Sequence, residues 1–244
     1  MRDALAPRFD PPPGLPASAA LFLDFDGTLT PLVLRPQDVR VADWVVPTLQ
    51  RLHEALDGAV AIISGRPLRQ IDALLQPLVL AAAGEHGAEL RDPAGHIERQ
   101  HVELPFDVLA RANELAASYP GILLESKASG LALHFRLNPE CGEMCREVLA
   151  AALRDTPDAL SRWELMNGHF VCELKQRVVS KEKAVQALMR DAAFAGRVPV
   201  FIGDDLTDED GIGAVQAAGG FGIRVGDGPS RARHRLADTD AVAK

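Results

Sequence analysis

The sequence predicts an α/β fold, with a doubly wound parallel sheet as its core and an inserted α/β domain that contains antiparallel strands. Two observations predict it. Near both ends of the chain, short apolar runs alternate with amphipathic helical segments, which is typical of a parallel sheet covered by helices. Between residues 105 and 178, helices and strands paired around turns replace this alternation. We therefore expect the core at 17–104 and 179–244, the inserted domain at 105–178 and an extended lead-in at 1–16.

Three strand–helix units open the core. Each predicted strand is a short apolar run, and each predicted helix carries its apolar residues on one face. The strands are expected at residues 19–24, 59–63 and 79–83, and the helices at 44–56 and 68–75. A hairpin at 88–99 should follow, because Asp92-Pro93-Ala94-Gly95 is a strong turn sequence.

The inserted domain is predicted from turn residues that separate alternating segments. Helices are expected at residues 106–118 and 140–154, and strands at 122–127, 131–136, 161–165 and 169–174, the last two joined around Asn167-Gly168. The strand–helix pattern then returns. It predicts helices at 181–191 and 212–218 and strands at 198–203 and 221–225.

Composition excludes several classes of protein. The 244 residues carry a net charge of −8, which argues against a nucleic-acid-binding surface. No apolar run is long enough for a membrane span, and the proline-rich start lacks the apolar region of a signal peptide. Three cysteines, an odd and low number, suit a reducing cytoplasm, where we expect the protein to reside.

Polar clusters follow four of the predicted core strands. They are Asp24 with Asp26, Ser64 with Arg66, Glu85 with His86, and the acidic run 204–210. The carboxyl ends of parallel strands share one edge of a sheet, which is where ligands bind in such folds. The alternative is an ordinary turn junction after the first strand, and a solvated acidic loop or a helix N-terminus at residues 204–210. The latter alternative suits Glu209 and Asp210 best.

The acidic clusters predict a metal site. Asp24, Asp26 and Asp204 would repel one another unless a hard cation held them together. Carboxylates, a main-chain carbonyl and waters are the ligands that Mg²⁺ prefers. We therefore expect Mg²⁺ as the cofactor.

Phosphoryl transfer is the chemistry that fits these residues. Asp24 is expected to act as the nucleophile, forming an aspartyl phosphate, and Asp26 as the acid and base. Ser64 and the Gly65 amide are expected to bind the phosphate oxygens, with Lys181 neutralising their charge. An ordinary exposed helix lysine is the alternative interpretation of Lys181.

A family resemblance supports this chemistry. Asp24-Phe25-Asp26-Gly27-Thr28-Leu29-Thr30 resembles the first motif of the haloacid dehalogenase-like phosphatases, and Ser64-Gly65-Arg66, Lys181 and Gly203-Asp204-Asp205-Leu206-Thr207-Asp208 resemble the other three. The resemblance implies a Rossmann-like core with an inserted cap. It also implies supporting roles for Thr28, Asp205 and Asp208.

A narrower resemblance concerns the substrate. The segments Gly84-Glu85-His86-Gly87, Glu125-Ser126-Lys127 and His134-Phe135-Arg136 are similar to those of the trehalose-6-phosphate phosphatases. This implies that Glu125, Lys127 and Glu173 bind sugar hydroxyls, and that Arg66, Glu85, His86 and Gly87 lie at the seam with the core. His134 and Arg136 are expected to support their strand rather than contact substrate.

The chain departs from the family pattern in two places, and other functions remain open. Glu182 follows Lys181 where glycine is usual, so Lys183 is an alternative for the working lysine, and Lys175 replaces a different residue after Glu173. Alternative functions are a phosphatase of another sugar phosphate, a sugar phosphomutase, or a non-enzymatic receiver-like domain. The enzyme that makes the substrate is expected to be a separate chain.

Overall fold

The computed structural model describes residues 11–33, 35–100, 103–127, 130–168 and 170–243. The lead-in prediction for residues 1–10 and the strand start predicted at His169 lie outside these ranges. The strands are β1 (Ala19–Leu23), β2 (Val60–Ile63), β3 (Ala81–Gly84), β4 (Glu89–Arg91), β5 (Ile97–Arg99), β6 (Leu123–Lys127), β7 (Gly130–His134), β8 (Trp163–Gly168), β9 (Val171–Gln176), β10 (Val198–Gly203), β11 (Phe221–Val225) and β12 (His234–Leu236).

The helices cover both sheets. They are α1 (Val45–Ala55), α2 (Leu68–Leu75), α3 (Phe106–Ser118), α4 (Gly142–Asp155), α5 (Ala159–Arg162), α6 (Lys181–Leu188), α7 (Asp208–Ala217) and α8 (Thr239–Val242). Short 3₁₀ turns occur at Pro36–Asp38, Glu85–Gly87 and Pro139–Cys141. Within the described ranges, no helix is long and apolar enough to cross a membrane.

The larger sheet has eight strands in the order β12-β11-β10-β1-β2-β3-β4-β5. From β12 to β3 the neighbouring strands pair parallel, and the hairpin β4–β5 extends the sheet antiparallel. All five residues of β1 are buried, as expected for a strand covered on both faces. Phe22 of β1 stacks on Phe194 with ring centroids 5.4 Å apart. The predicted fold class of the core is confirmed.

A separate four-stranded antiparallel sheet has the order β6-β7-β9-β8. Its own apolar cluster includes Trp163, Leu131 and Leu149, and helices α3 and α4 pack on it. This cluster is distinct from the apolar cluster of the larger sheet. The predicted antiparallel character of the middle segment is therefore confirmed, whereas the exact domain boundaries stay a prediction.

Several predicted boundaries are wrong. Ser161 belongs to α5 rather than to a strand, because β8 begins only at the fully buried Trp163. Asn167 and Gly168 lie within β8, where they pair with Cys172 and Val171, so the hairpin does not turn at these two residues. Favourable turn residues were outweighed here by cross-strand packing.

Helix ends also differ from the prediction. Helix α7 begins at Asp208 rather than at residue 212, because its first turn takes three acidic residues, which the helix dipole favours. Helix α6 ends at Leu188, earlier than expected. Strand β3 begins at Ala81, since Val79 is 61% exposed. The short elements α5, β12 and α8 were not predicted.

Candidate active site

A buried lysine joins two carboxylates at the carboxyl edge of the larger sheet. Asp24 directly follows β1, and Asp208 opens α7. The Lys181 ammonium donates to Asp24 Oδ1 at 2.6 Å and to Asp208 Oδ1 at 2.5 Å. Burial alone would lower the pKa of Lys181, but the two carboxylates outweigh it and raise that pKa. We call Asp24, Asp204, Asp208 and Lys181 the core cluster.

Two glycines allow the core cluster to form. A Cβ on Gly203 would lie 2.4 Å from Asp208 Cγ, and one on Gly27, whose φ is +91°, would lie 2.1 Å from Asp204 Oδ2. The space thus freed lets Asp208 Oδ2 accept from the main-chain amides of Asp204 and Asp205, at 3.0 and 2.9 Å. Glycine at these positions therefore has a packing reason as well as a turn reason.

The core cluster has the donor set of a cation site. Carboxylate oxygens of Asp24, Asp204 and Asp208 lie within 4.8 Å of one another. Asp24 Oδ2 and Asp204 Oδ1 are buried and have no hydrogen-bond partner in the part of the chain that the structure describes. Burial and the Asp208 charge raise the pKa of Asp24 well above its ordinary value and that of Asp204 to about 7. Unpartnered, mutually repelling carboxylate oxygens fit a hard divalent cation.

The carboxylate of Asp26 lies apart from these three. Its two oxygens accept from Arg66 Nε at 2.6 Å and Arg66 Nη2 at 2.8 Å. Arg66 also donates to Gln70 and lies over the ring of Phe25, 5.9 Å from its centroid. Of the three residues predicted to bind metal, the structure therefore brings only Asp24 and Asp204 together through their side chains.

The turns that follow β2 and β3 are hydrogen-bonded to each other, and the second contains strained backbone. Ser64 Oγ accepts from the Arg66 amide at 3.1 Å, and the Ser64 carbonyl accepts from the His86 amide at 2.9 Å. Glu85 and His86 have left-handed φ values of 47° and 59°, which are unusual outside glycine and cluster at functional sites. A Cβ on Gly65 would lie 2.8 Å from His86 Nε2, so glycine lets that ring approach.

The antiparallel sheet supplies a second charged group. Glu125 and Glu173 both pair with Ala132, so strand register places them on one face. Lys127 Nζ donates to Glu173 Oε1 at 2.5 Å and to the Gly65 carbonyl at 3.2 Å, which links the two sheets. We call Glu125, Lys127, Glu173 and His134 the antiparallel-sheet cluster.

Histidines complete the pairing in this cluster. His86 Nε2 lies 3.3 Å from Glu173 Oε1, and His134 Nε2 lies 2.9 Å from Glu125 Oε2. Although burial opposes it, the charges of Lys127 and His86 lower the pKa of Glu173 strongly. The hydrogen bond from His134 lowers the pKa of Glu125, and Glu173 with Glu125 raises that of Lys127 despite burial.

One cavity of about 460 Å³ joins the two clusters. Its lining includes most of the predicted site residues: Asp24, Asp26, Ser64, Gly65, Arg66, His86, Glu125, Lys127, Glu173, Lys181, Asp204 and Asp205. Four others are not in the lining: Thr28, Glu85, Gly87 and Asp208. His134 and Arg136 do line it, contrary to the expectation that they only support a strand.

The structure shows where the residues that depart from the family pattern lie. Lys181 rather than Lys183 enters the site, since Lys183 is exposed and donates to the Val178 carbonyl. Glu182 is also exposed and accepts from Gln186 one turn along the helix, away from the cluster. Lys175 is buried, donates to the Val179 carbonyl at 2.9 Å and lies 3.0 Å from Glu164.

Sequence reasoning missed two residues behind the acidic loop. Arg224, at the end of β11, lines the cavity and donates to the Asp205 carbonyl at 2.9 Å. Glu209 was expected in a solvated loop or at a helix N-terminus. It does lie in the first turn of α7, but it is only 7% exposed and accepts from the Arg231 amide at 2.9 Å. A lone arginine in an otherwise apolar strand was the available signal for Arg224.

Comparison with known proteins identifies a family. The family model of trehalose-phosphatase matches residues 22–241. The trehalose-6-phosphate phosphatase of Escherichia coli (strain K12) is 40% identical over 232 residues, covering 94% of this chain and 86% of that protein. The probable trehalose-phosphate phosphatase of Sinorhizobium fredii (strain NBRC 101917 / NGR234) is 38% identical over 209 residues, covering 85% and 77%.

Solved structures agree on the fold. The C-terminal domain of C. albicans trehalose-6-phosphate phosphatase matches with a TM-score of 0.80 at 23% identity, covering 92% of this chain and 89% of that one. An Aspergillus fumigatus trehalose-6-phosphate phosphatase gives 0.60 at 28% identity, covering 91% and 89%. A haloacid dehalogenase-like hydrolase from Bacteroides thetaiotaomicron gives 0.61 at 18% identity, covering 91% and 96%.

Proposed function

The chain belongs to the trehalose-phosphatase family of haloacid dehalogenase-like phosphoric monoester hydrolases, and we propose that it converts trehalose 6-phosphate to trehalose and phosphate. One observation carries the proposal. A cavity joins a buried carboxylate–lysine core cluster to a second cluster of paired carboxylates and cations on another sheet. The first suits a phosphoryl group, and the second suits the hydroxyls of a sugar.

Asp24 is the proposed nucleophile. Lys181 holds its Oδ1, and its Oδ2 has no partner, so that oxygen is left to attack phosphorus. The bond from Oδ2 to phosphorus forms as the bond from phosphorus to the sugar oxygen breaks. The product of this step is an aspartyl phosphate at Asp24. Ser64, the Gly65 amide and Lys181 are proposed to bind the phosphate oxygens.

Asp26 is the proposed acid and base. It gives a proton to the leaving sugar oxygen and then takes one from the water that hydrolyses the phosphoaspartate. Because both its oxygens accept from Arg66, substrate must first take over part of that pairing. Arg66 is thereby proposed to couple arrival of the substrate to release of the Asp26 carboxylate.

Mg²⁺ is the proposed cofactor. Asp204 would hold it through its unpartnered Oδ1 and Asp24 through the carboxylate oxygen that does not attack phosphorus, while Asp208 fixes the loop that carries Asp204. When bound, Mg²⁺ neutralises charge, which lets a carboxylate approach a phosphoryl group. Lys181 and Asp208 orient the same loop from the protein side, and Thr28 and Asp205 are proposed to support it.

The substrate is proposed to be held by the antiparallel-sheet cluster. Glu125 and Glu173 offer acceptors, and Lys127 offers donors, for several hydroxyls at once. His86 and Arg66 contribute from the core side, with Glu85 and Gly87 shaping the turn beneath them. Family membership argues against the receiver-like alternative. The cavity argues against it too, because a receiver-like domain does not require a sugar-sized cavity.

A phosphate-release screen tests this function. We expect trehalose 6-phosphate to be among the best substrates in a panel of sugar phosphates and glycosyl-glycerate phosphates, with activity lost when Mg²⁺ is chelated. Preference for a different sugar phosphate would contradict the proposed substrate but not the proposed phosphatase reaction. Return of phosphate to the sugar would instead support a phosphomutase. A cytoplasmic location and a separate chain for the substrate-producing synthase belong to the same proposal.

A further inference from the structure

The tip of the β8–β9 hairpin holds a residue that the turn does not favour. Gly168, the last residue of β8, pairs with Val171, the first residue of β9, so Phe170 lies in the connection between the two strands. Phe170 has a φ of 63°, in the left-handed region. Two-residue hairpin loops place glycine, asparagine or aspartate at such positions, because a Cβ is strained there. A phenylalanine therefore needs a reason other than the turn itself.

The ring of Phe170 is held by two neighbours. It meets the ring of Phe135 edge-on with centroids 6.3 Å apart, and the Arg136 guanidinium lies 5.6 Å from its centroid. Arg136 Nη1 also donates to the Val33 carbonyl at 2.6 Å, which ties this end of the antiparallel sheet to the loop after β1. Phe170 is thus fixed in place at the junction between the two sheets.

Phe170 stands at a mostly apolar end of the cavity, where Arg136 is also part of the lining. Phe170 and Val171 line it from the hairpin, and Leu32 and Val33 line it from the core loop. Val171 and Glu173 share one face of β9, and two residues along a strand span about 7 Å. The apolar end therefore lies roughly one sugar ring away from the charged group around Glu173.

We propose that Phe170, with Val171, Leu32 and Val33, forms an apolar subsite for the CH face of one pyranose ring, while Glu125, Lys127 and Glu173 bind the hydroxyls of the other. The inference rests on the proposed function and deepens it. A pyranose ring has a hydroxylated rim and an apolar face, and buried ligand sites combine apolar walls with a few polar groups. Strained backbone that persists at a binding cavity points to the same use of the ring.

The test compares a substrate with two sugar rings and a substrate with none. In Phe170→Gly, kcat/KM for trehalose 6-phosphate is expected to fall about 10-fold or more, as for loss of apolar contact in a pocket. With acetyl phosphate, which has no ring, it is expected to stay within about 2-fold. The kcat/KM of Phe170→Leu for trehalose 6-phosphate should lie between those of the wild type and Phe170→Gly. Titration with trehalose alone should rank the affinities of the three proteins in the same order.

A matched control separates the ring from the backbone. Asp158 also has a left-handed φ, of 59°, is exposed and is not part of the cavity lining. Asp158→Gly is expected to leave kcat/KM unchanged for both trehalose 6-phosphate and acetyl phosphate. Glycine relieves strain at either position, so Phe170→Gly should unfold within a few degrees of the wild type despite losing its ring contacts.

Two results would overturn the subsite. One is a wild-type kcat/KM for trehalose 6-phosphate in Phe170→Gly, and the other is an equal fall with acetyl phosphate, which would mean general damage. If the wild type instead prefers another sugar phosphate, the proposed substrate fails, but the same ratio measured on that preferred compound still decides the role of Phe170. A wild type inactive on every ringed phosphate would overturn both.

Discussion

The core cluster and the antiparallel-sheet cluster are both buried groups of charged side chains, but their charges are balanced differently. In the core cluster, one lysine pairs with two of the three carboxylates, and two carboxylate oxygens have no hydrogen-bond partner among the described residues. In the antiparallel-sheet cluster, each carboxylate has a cationic or histidine partner within 3.3 Å. The core cluster has too little positive charge for its carboxylates, whereas the carboxylates of the antiparallel-sheet cluster are all paired.

The pKa shifts follow the same difference. Burial and carboxylate repulsion raise the pKa of Asp24 and Asp204, so their ionised forms are disfavoured in the protein alone. Cationic neighbours lower the pKa of Glu173 and Glu125, so their ionised forms are favoured. Excess negative charge suits a site that gains a cation and performs chemistry. A balanced group suits exchange of internal hydrogen bonds for substrate hydroxyls.

The largest expected effect is the loss of chemistry at the core cluster. Asp24→Asn removes the nucleophile but keeps the shape of the side chain, so kcat with every phosphate ester should fall by roughly 10³-fold or more. Single-turnover phosphate release measures it. The control is Asp72→Asn, a carboxylate that pairs with Arg91 outside the cavity. An Asp24→Asn protein with more than a tenth of wild-type activity would contradict the account.

A smaller effect is expected on stability. Lys181→Met leaves Asp24 and Asp208 buried without their cation, which should lower the free energy of unfolding by about 3–5 kcal/mol. Urea unfolding checks the value. Lys183→Met, two residues along the same helix, changes an exposed side chain and should shift it by less than about 0.5 kcal/mol. Equal losses in the two variants would mean that Lys181 is not the paired lysine.

The smallest expected effect is the loss of stabilisation by the antiparallel-sheet cluster at acidic pH. The pKa of Glu173 is lowered from its ordinary 4.5, so its ionised form stabilises the folded protein above that pH, and this contribution declines as pH falls further. The Tm difference between wild type and Glu173→Gln should therefore be constant from neutral pH to about pH 5 and shrink towards pH 3.5. A difference that grows on acidification would show that the pairing has the opposite sign.

The sequence was most informative about the core, for a physical reason. Asp24, Ser64, His86 and Asp204 follow buried strands, and parallel strands bring such ends to one edge regardless of loop detail. Lys181 was harder, because helix periodicity alone does not show that its ammonium reaches 2.6 Å from Asp24, 157 positions away in sequence.

The parts that escaped prediction depend on contacts between distant segments. Arg136 was expected only to support its strand, yet it donates to the Val33 carbonyl, 103 positions away. Glu209 was expected in a solvated loop or at a helix N-terminus, but its burial against the Arg231 amide, 22 positions away, was not predicted. The turn between β8 and β9 was misplaced because Asn167-Gly168 is a good turn sequence, although the strand register pairs both residues within the sheet.

The division between chemistry and substrate choice is the central claim, and one ratio tests it directly. The ratio compares kcat/KM for trehalose 6-phosphate with kcat/KM for acetyl phosphate in the wild type, Lys127→Ala and Asp204→Asn. Lys127→Ala is expected to lower the ratio by about 10-fold or more, since it leaves Glu173 without its cation and removes donors for hydroxyls. Asp204→Asn is expected to slow both substrates and preserve the ratio. A Lys127→Ala protein that loses both activities equally, with the ratio unchanged, would contradict the account.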